Sequence, residues 1–356
     1  MNNKLIALAV AGALTAPMMA AEAAPTVYGR MAVEWAQTSN SLATTTDKNY
    51  LVDNKAGQFG FKGSEDLGGG LKAIYKMEFG IETSDLAKGS ESGGDIFDRE
   101  TMIGLKFGKN HTIQMGALKS PYKYAGGVKY DSFAATSMQA REDSTKITGT
   151  GGAMSGGALG HGSFLANSVG YIGKFKPVTV HIATDALDDS GDDRAVTSIA
   201  VSAKVSSFHF GVANITKDEC VAATAPAVSN CASSAGGQDS TKLFGSWSKG
   251  QHTVRLQLED IDTTSSTGVN TGNTEYTYLN YQFKMGKHLV DVVVGEKDQN
   301  VLAGNVDEDF TRLAYAYNFS KKTRVFAGIA ESDVDNHTTT AANDWDTFSV
   351  GMQVKF

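Results

Sequence analysis

The sequence predicts an all-β fold, a transmembrane antiparallel β-barrel of 16 strands, and three observations carry that expectation. An export segment opens the chain. Hydropathy then alternates with a period of two almost to the last residue, and the alternating segments are joined by short turns and long polar stretches in turn. Segments of about ten residues cross a bilayer when strands tilt. Short turns on one side with long loops on the other are the pattern of a barrel in an outer membrane.

The export segment comes first. Lys4 supplies the charged start, residues 5–14 an apolar run, and Ala21 and Ala23 the small residues around Glu22. That arrangement reads as a signal peptide over residues 1–23. Cleavage after Ala24 would put Glu22 at the third position before the cut, so the mature chain is expected to be 24–356. The apolar run is too short to span a bilayer. No later stretch supplies about 18 consecutive apolar residues, which argues against a helical membrane protein. With 39 Gly and 5 Pro spread along the chain and no linker, 24–356 reads as one domain. An apolar content of 41% suits strands that show one face to lipid and the other to water. The net charge of -7 argues against a nucleic-acid partner. Cys220 and Cys231 lie in a Ser/Ala-rich loop of an exported chain, where a local disulfide is expected rather than a metal pair. Neither CxxC nor His-rich ligand spacing occurs, and no metal or cofactor is expected.

The expected strands follow in order: 26–38, 56–64, 70–82, 98–107, 111–118, 164–174, 178–187, 194–204, 208–217, 240–249, 252–262, 273–284, 288–297, 308–319, 324–333 and 345–356. Residues 71–79 illustrate the alternation, with Leu71, Ala73, Tyr75, Met77 and Phe79 on one face and Lys72, Lys76 and Glu78 on the other. Short turns are expected at 65–69, 108–110, 174–177, 285–287 and 320–323. An even count closes an antiparallel barrel, which matters because an open edge in lipid would leave backbone groups without partners. Tyr276, Tyr278, Tyr281 and Phe283, and likewise Tyr315, Tyr317 and Phe319, cluster at strand ends. Such rings suit a membrane interface or cross-strand packing. In the last strand Phe348, Val350, Met352, Val354 and Phe356 share a face, and the chain ends on that aromatic residue.

Several blocks resemble the general diffusion porins of Gram-negative outer membranes. They are Thr26-Val27-Tyr28-Gly29-Arg30, the run from Gly60-Phe61-Lys62-Gly63 through Gly68-Gly69-Gly70-Leu71 to Tyr75, the Ile103-Gly104-Leu105 of 99–107, Asn167-Ser168-Val169-Gly170-Tyr171, and the terminal Phe356. The resemblance covers the whole mature chain, and the second block is its most specific part. It implies a homotrimeric, 16-stranded channel for passive diffusion of ions and small hydrophilic solutes. It also implies contact with lipid bilayer and lipopolysaccharide, insertion by the barrel assembly machinery through the signature ending at Phe356, and a third extracellular loop folded into the lumen. Residues 119–163, the longest stretch without alternation, are the candidate for that constriction loop. The resemblance further implies a basic ladder on the wall facing acidic loop groups. Arg30, Lys62 and Arg99 match basic positions of the family. Parity puts Arg99 with Thr101, Ile103 and Leu105, so it needs a bulge, or a place above the lipid, to join the ladder. Gln58 and Phe164 stand where many relatives carry arginine. Arg141 is a candidate replacement, and Asp131 the first choice of acidic partner. With Lys119 and Lys123 in the same loop, a weak anion preference is the expectation.

Other classes are not all excluded. No HExxH, GxSxG or Walker-type loop occurs and the seven His are scattered, so an enzyme is not expected. A substrate-specific porin and a non-conducting adhesive or structural barrel remain alternatives. Against the last, the polar parity of the strands carries many small residues and few large apolar ones, which suits water better than packing. Acidic loop runs such as Asp188, Asp189, Asp192 and Asp193 could hold divalent ions or simply be hydrated.

Overall fold

The computed structural model describes residues 24–40, 48–52, 57–81, 83–84, 96–142, 152–157, 159–185, 195–220, 235–301, 304–336 and 344–356. The expected signal peptide, Cys231 and the acidic run at 188–193 lie outside the described residues.

The strands are β1 (Thr26–Asn40), β2 (Lys48–Val52), β3 (Gly57–Gly68), β4 (Leu71–Ile81), β5 (Ile96–Phe107), β6 (His111–Lys119), β7 (Phe164–Phe175), β8 (Val178–Thr184), β9 (Val196–Val205), β10 (Phe208–Lys217), β11 (Gln238–Lys249), β12 (His252–Thr264), β13 (Asn270–Met285), β14 (His288–Val301), β15 (Gly304–Asn318), β16 (Thr323–Asn336) and β17 (Trp345–Lys355). All belong to one antiparallel sheet in which β1 pairs with β2 and β3, each strand from β3 onward pairs with the next, and β17 returns to β1, from Arg30↔Lys355 to Asn40↔Trp345. The seventeen elements make sixteen staves. β2 lies against Glu34 to Thr38 and β3 against Thr26 to Arg30, so the two are successive pieces of one stave beside β1. At the seam, Gly29 and Phe356 exchange backbone hydrogen bonds of 3.2 and 3.1 Å.

The predicted strands recur within a few residues, because a wall that meets lipid on one side must alternate along its whole height. Val27, Met31, Ile103, Met115, Leu256, Leu313, Val350 and Met352 all lie on the exposed outer face. Two local features depart from expectation. β2 was not foreseen. β3 also runs past the expected turn to Gly68, and the chain reverses at Gly69 and Gly70. Gly68, Gly69 and Gly70 all have positive φ (83°, 59° and 81°), and the three successive glycines shift the reversal to the end of the segment. The buried core is not between sheets. It lies inside the barrel, where Leu118, Tyr122, Phe133, Met138 and Met154 pack against inward side chains such as Phe244, Tyr278 and Phe310.

Candidate functional site

The chain between β6 and β7 begins with a Ser120 side chain that accepts from Lys123 N (3.1 Å), capping a one-turn helix α1 (Pro121–Tyr124), and continues through a 3-10 turn, Gly127–Lys129. It then meets inward side chains from staves far apart in the sheet. Tyr122 N donates to Ser198 Oγ on β9 (3.0 Å), Gly127 N to Gln257 Oε1 on β12 (2.7 Å), and Ser137 N to Glu34 Oε1 on β1 (2.8 Å). From the wall, Tyr278 Oη donates to Tyr130 O (3.1 Å) and Arg324 Nη1 to Ser132 O (2.9 Å). A segment that reaches β9, β12, β13, β16 and β1 of a closed barrel runs through its interior. Gly126 and Gly127 permit the approach: both have positive φ, and a Cβ there would stand 2.9 Å from Phe244 and 2.7 Å from His161 respectively.

Three buried polar clusters fasten this segment. In the first, Arg312 of β15 spans two carboxylates, with Nη1 2.8 Å from Asp131 Oδ1 and Nη2 2.7 Å from Asp291 Oδ1, and also donates to Met138 O at 2.9 Å. Asp131 in turn accepts from the backbone N–H of Phe133 (2.9 Å) and Ala140 (2.8 Å), so one carboxylate folds the loop and ties it to the wall. In the second, His161 Nε2 lies 2.8 Å from Lys242 Nζ and 3.1 Å from Glu259 Oε1, while Lys242 also donates to Tyr122 O and Ser155 N donates to Glu259 Oε2 at 3.2 Å. Burial, reinforced by Lys242 and Arg141, holds the His161 imidazole well below the usual histidine range. The third joins Glu142 to Tyr276 and, at 3.0 Å, to Lys297.

With the segment held against β9 to β16, the wall from β1 to β6 carries a further set of inward charges. Arg99 Nε donates to Glu78 Oε1 (2.9 Å), Lys76 lies 3.0 Å from Glu78 and is also bonded to Glu100, and Lys119 lies 3.1 Å from Glu100 and 3.9 Å from Glu78. Tyr28 donates to Glu78 Oε2 at 2.9 Å, and Lys62 sits 5.0 Å from the Tyr28 ring centre. Arg30 is half-buried on the inward face of β1. The bulge that Arg99 needed is present. The β4–β5 register shifts between Met77 and Phe79, which turns Arg99 inward while Ile103 and Leu105 stay exposed outside.

Not every expected residue stands where expected. Arg30, Lys62, Arg99 and Lys119 share the β1–β6 wall, although Lys119 closes β6 rather than opening the loop. Lys123 is buried, donating to Gly162 O at 2.9 Å and lying 3.9 Å from the Phe164 ring centre. The Arg99 guanidinium approaches the same ring at 5.4 Å, so Phe164 offers its π face to both side chains. Arg141 is turned into its own segment, donating to His161 O (3.1 Å) and Gln139 Oε1 (3.4 Å). Asp131 corrects the expectation of an acidic group facing open lumen. It is buried on the far wall with its charge met by Arg312, and the carboxylates facing the basic residues are Glu78 and Glu100 of the wall itself. Sequence reading missed Arg312, Asp291, Lys242 and Glu259; their one signal was a charged residue at the inward parity of a strand. Cys220 is disulfide-bonded and forms a backbone bridge with Ala235.

Comparison with known proteins agrees with this architecture. Residues 7–337 match the family model described as Gram-negative porin. The major outer membrane protein P.IB of Neisseria gonorrhoeae is 36% identical over 132 residues, which is 35% of this chain and 34% of that protein, so the aligned stretch spans about a third of the relative's length. An anion-selective porin from Comamonas acidovorans superposes with a TM-score of 0.72 at 17% identity, covering 94% of this chain and 99% of that one. The trimer form of in-vitro folded OmpT from Vibrio cholerae superposes at 0.65 with 13% identity, covering 94% and 100%. These two likenesses establish the fold, a closed sixteen-stave barrel, and the family model with the P.IB match places that barrel in the outer membrane. The chain belongs to the Gram-negative porin family.

Proposed function

We propose that the barrel is a water-filled channel for passive diffusion of ions and small hydrophilic solutes, with a weak preference for anions, and that it is not an enzyme. The observation that carries this reading is the division of the interior. A segment fastened along one side leaves an opposite wall on which Arg30, Lys62, Lys76, Arg99 and Lys119 outnumber Glu78 and Glu100. Beside a low-dielectric wall such an excess biases which ions enter, because screening is weak there. The chain acts as a homotrimer, supported by family membership and by the trimeric form of a structural neighbour. Residues 1–23 direct export, the strand ending at Phe356 is read by the assembly machinery, Cys220 and Cys231 pair in an outer loop, and the outer leaflet supplies lipopolysaccharide contacts.

Single-channel recording in a planar bilayer under a salt gradient tests the reading. Steps that close in thirds, with a reversal potential on the anion side, are expected. Folded protein that gives no steps would make the barrel a plugged or adhesive one, and strong cation selectivity would overturn the role given to the basic wall.

A further inference from the structure

Three histidines occupy one position in the barrel three times over. His111, His252 and His288 are each the first residue of a strand that rises from a short turn, opening β6, β12 and β14. Each points outward, on the parity of Ile113 and Met115, of Leu256 and Leu258, or of Val294. On the next strand the residue directly opposite is Gly173, Phe283 or Tyr317, and two positions before it stands a tyrosine: Tyr171, Tyr281 or Tyr315. In all three the tyrosine hydroxyl lies against Nδ1, at 2.8, 2.8 and 2.7 Å. A second aromatic ring, Phe175, Phe283 or Tyr317, braces each imidazole at 5.4, 5.3 and 5.2 Å between centres.

The repetition fixes chemistry as well as position. When the tyrosine O–H donates to Nδ1, the ring carries its proton on Nε2, so Nε2–H is the remaining donor. Among the described residues, none of the three Nε2 atoms meets a protein acceptor. Lysines stand beside these points: Lys109 and Lys287 in the preceding turns, and Lys249 directly opposite His252. Lys287 Nζ lies 5.9 Å from the ring of Tyr317 that braces His288. The turns 108–110, 250–251 and 286–287 contain no carboxylate, whereas the opposite rim carries Asp298, Asp307, Asp309, Asp333 and Asp335. Outward-facing donors with lysines at a membrane interface meet lipid headgroups, and a lysine near an anionic lipid surface adds attraction.

We propose that the strand pairs β6–β7, β12–β13 and β14–β15 each carry a binding point for the phosphate of an anionic glycerophospholipid in the periplasmic leaflet. The histidine Nε2–H donates to a phosphate oxygen, the tyrosine hydroxyl holds the ring in that tautomer, and the turn lysines supply the preference for net negative headgroups. The acidic opposite rim faces the other leaflet and does not compete. The points rest on the outer-membrane placement of the barrel and not on its conductance.

The test counts phospholipid retained by the full-length protein after extraction from vesicles of equal phosphatidylglycerol and phosphatidylethanolamine, by native mass spectrometry. Wild type is expected to retain the anionic lipid in about fivefold preference. H111F/H252F/H288F, which keeps three interfacial rings and loses the donors, brings the ratio close to one, and Y171F/Y281F/Y315F lowers it part of the way. Removing Lys109, Lys249 and Lys287 by glutamine substitution lowers the preference while leaving total phospholipid unchanged. A wild-type ratio of one, or a histidine variant with the wild-type ratio, overturns the proposal. If the triple variant fails to show the folded mobility on unheated gels, H252F alone is read, with loss of about a third of the preference expected. Conductance recorded in the same vesicles separates failure of the lipid points from failure of the channel reading.

Discussion

Replacing Arg312 with methionine tests what holds the inner segment in place. The side chain reaches Asp291 from both Nε and Nη2, Asp131 from Nη1, and the carbonyl of Met138. All three charged groups are withdrawn from solvent. Methionine keeps much of the volume and removes the cation, so two buried carboxylates are left without one. Breaking a buried ion pair from one side costs about 3 to 5 kcal/mol. At 1.4 kcal/mol for each factor of ten, the docked arrangement loses roughly two to three and a half orders of magnitude in weight. The ladders of β15 with β14 and β16 do not pass through this side chain, so the loss falls on the segment and not on the barrel. The expected result is β-type circular dichroism like wild type, new protease cleavage within 120–142, and larger, noisier current steps. The neutral set R312M/D131N/D291N should regain part of the docking, because a buried charge group replaced as a whole costs little, while an amide at 131 keeps one of the two acceptors that Phe133 N–H and Ala140 N–H use. Wild-type protease resistance and quiet steps in R312M, or a triple variant as loose as the single one, would refute the reasoning.

Two further outcomes follow from single residues. Burial, then repulsion from Arg141, Arg99 and Lys119, pushes the Lys123 ammonium down to about 6, so this lysine is neutral above that value and gains its charge as pH falls through it. Lowering pH from about 7.5 to about 5 therefore adds a positive charge beside Phe164 and moves the reversal potential further to the anion side; in K123Q the shift across that window should be smaller than in wild type. Gly29 closes the barrel against the last residue, and a Cβ there would stand 2.2 Å from Cζ of Phe356 and 2.8 Å from Gln58 O. G29A should lose about 1 to 3 kcal/mol at the seam and unfold at a lower temperature on heated gels, with an unchanged midpoint counting against the contact.

The staves were legible because lipid enforces alternation on every one of them, whatever the loops do. What the sequence hid is set by pairings across long separations. Arg99 reads as outward from its own strand, and the bulge that turns it inward arises from its pairing with β4 near Glu78. Asp131 was recognisable as a loop carboxylate of consequence, yet its partner Arg312 lies 181 residues away, and nothing local distinguishes a carboxylate that meets water from one that meets an arginine.

The same difficulty governs the whole inward face. Polar inward residues had been read as facing water, but Lys242, Gln257, Glu259, Asn280, Asp291 and Arg312 are buried, several of them directly beneath the inner segment. Alternation states that a side chain faces inward and cannot state what it meets there. The distinction comes from the backbone demand of the segment itself. Its irregular chain cannot satisfy its N–H and C=O groups in a ladder, so each buried group must find a side chain on the wall. Ser198, Gln257 and Glu34 accept from it, and Lys242, Tyr278, Arg312 and Arg324 donate to it. That demand draws polar residues of β9 to β16 and β1 out of the lumen's water-facing set. On the proposed channel reading, much of the charge that solutes meet then lies on the wall from β1 to β6, where Lys76, Arg99 and Lys119 are bridged by Glu78 and Glu100. On that reading, selectivity is therefore set as much by which charges the segment covers as by which charges the wall carries.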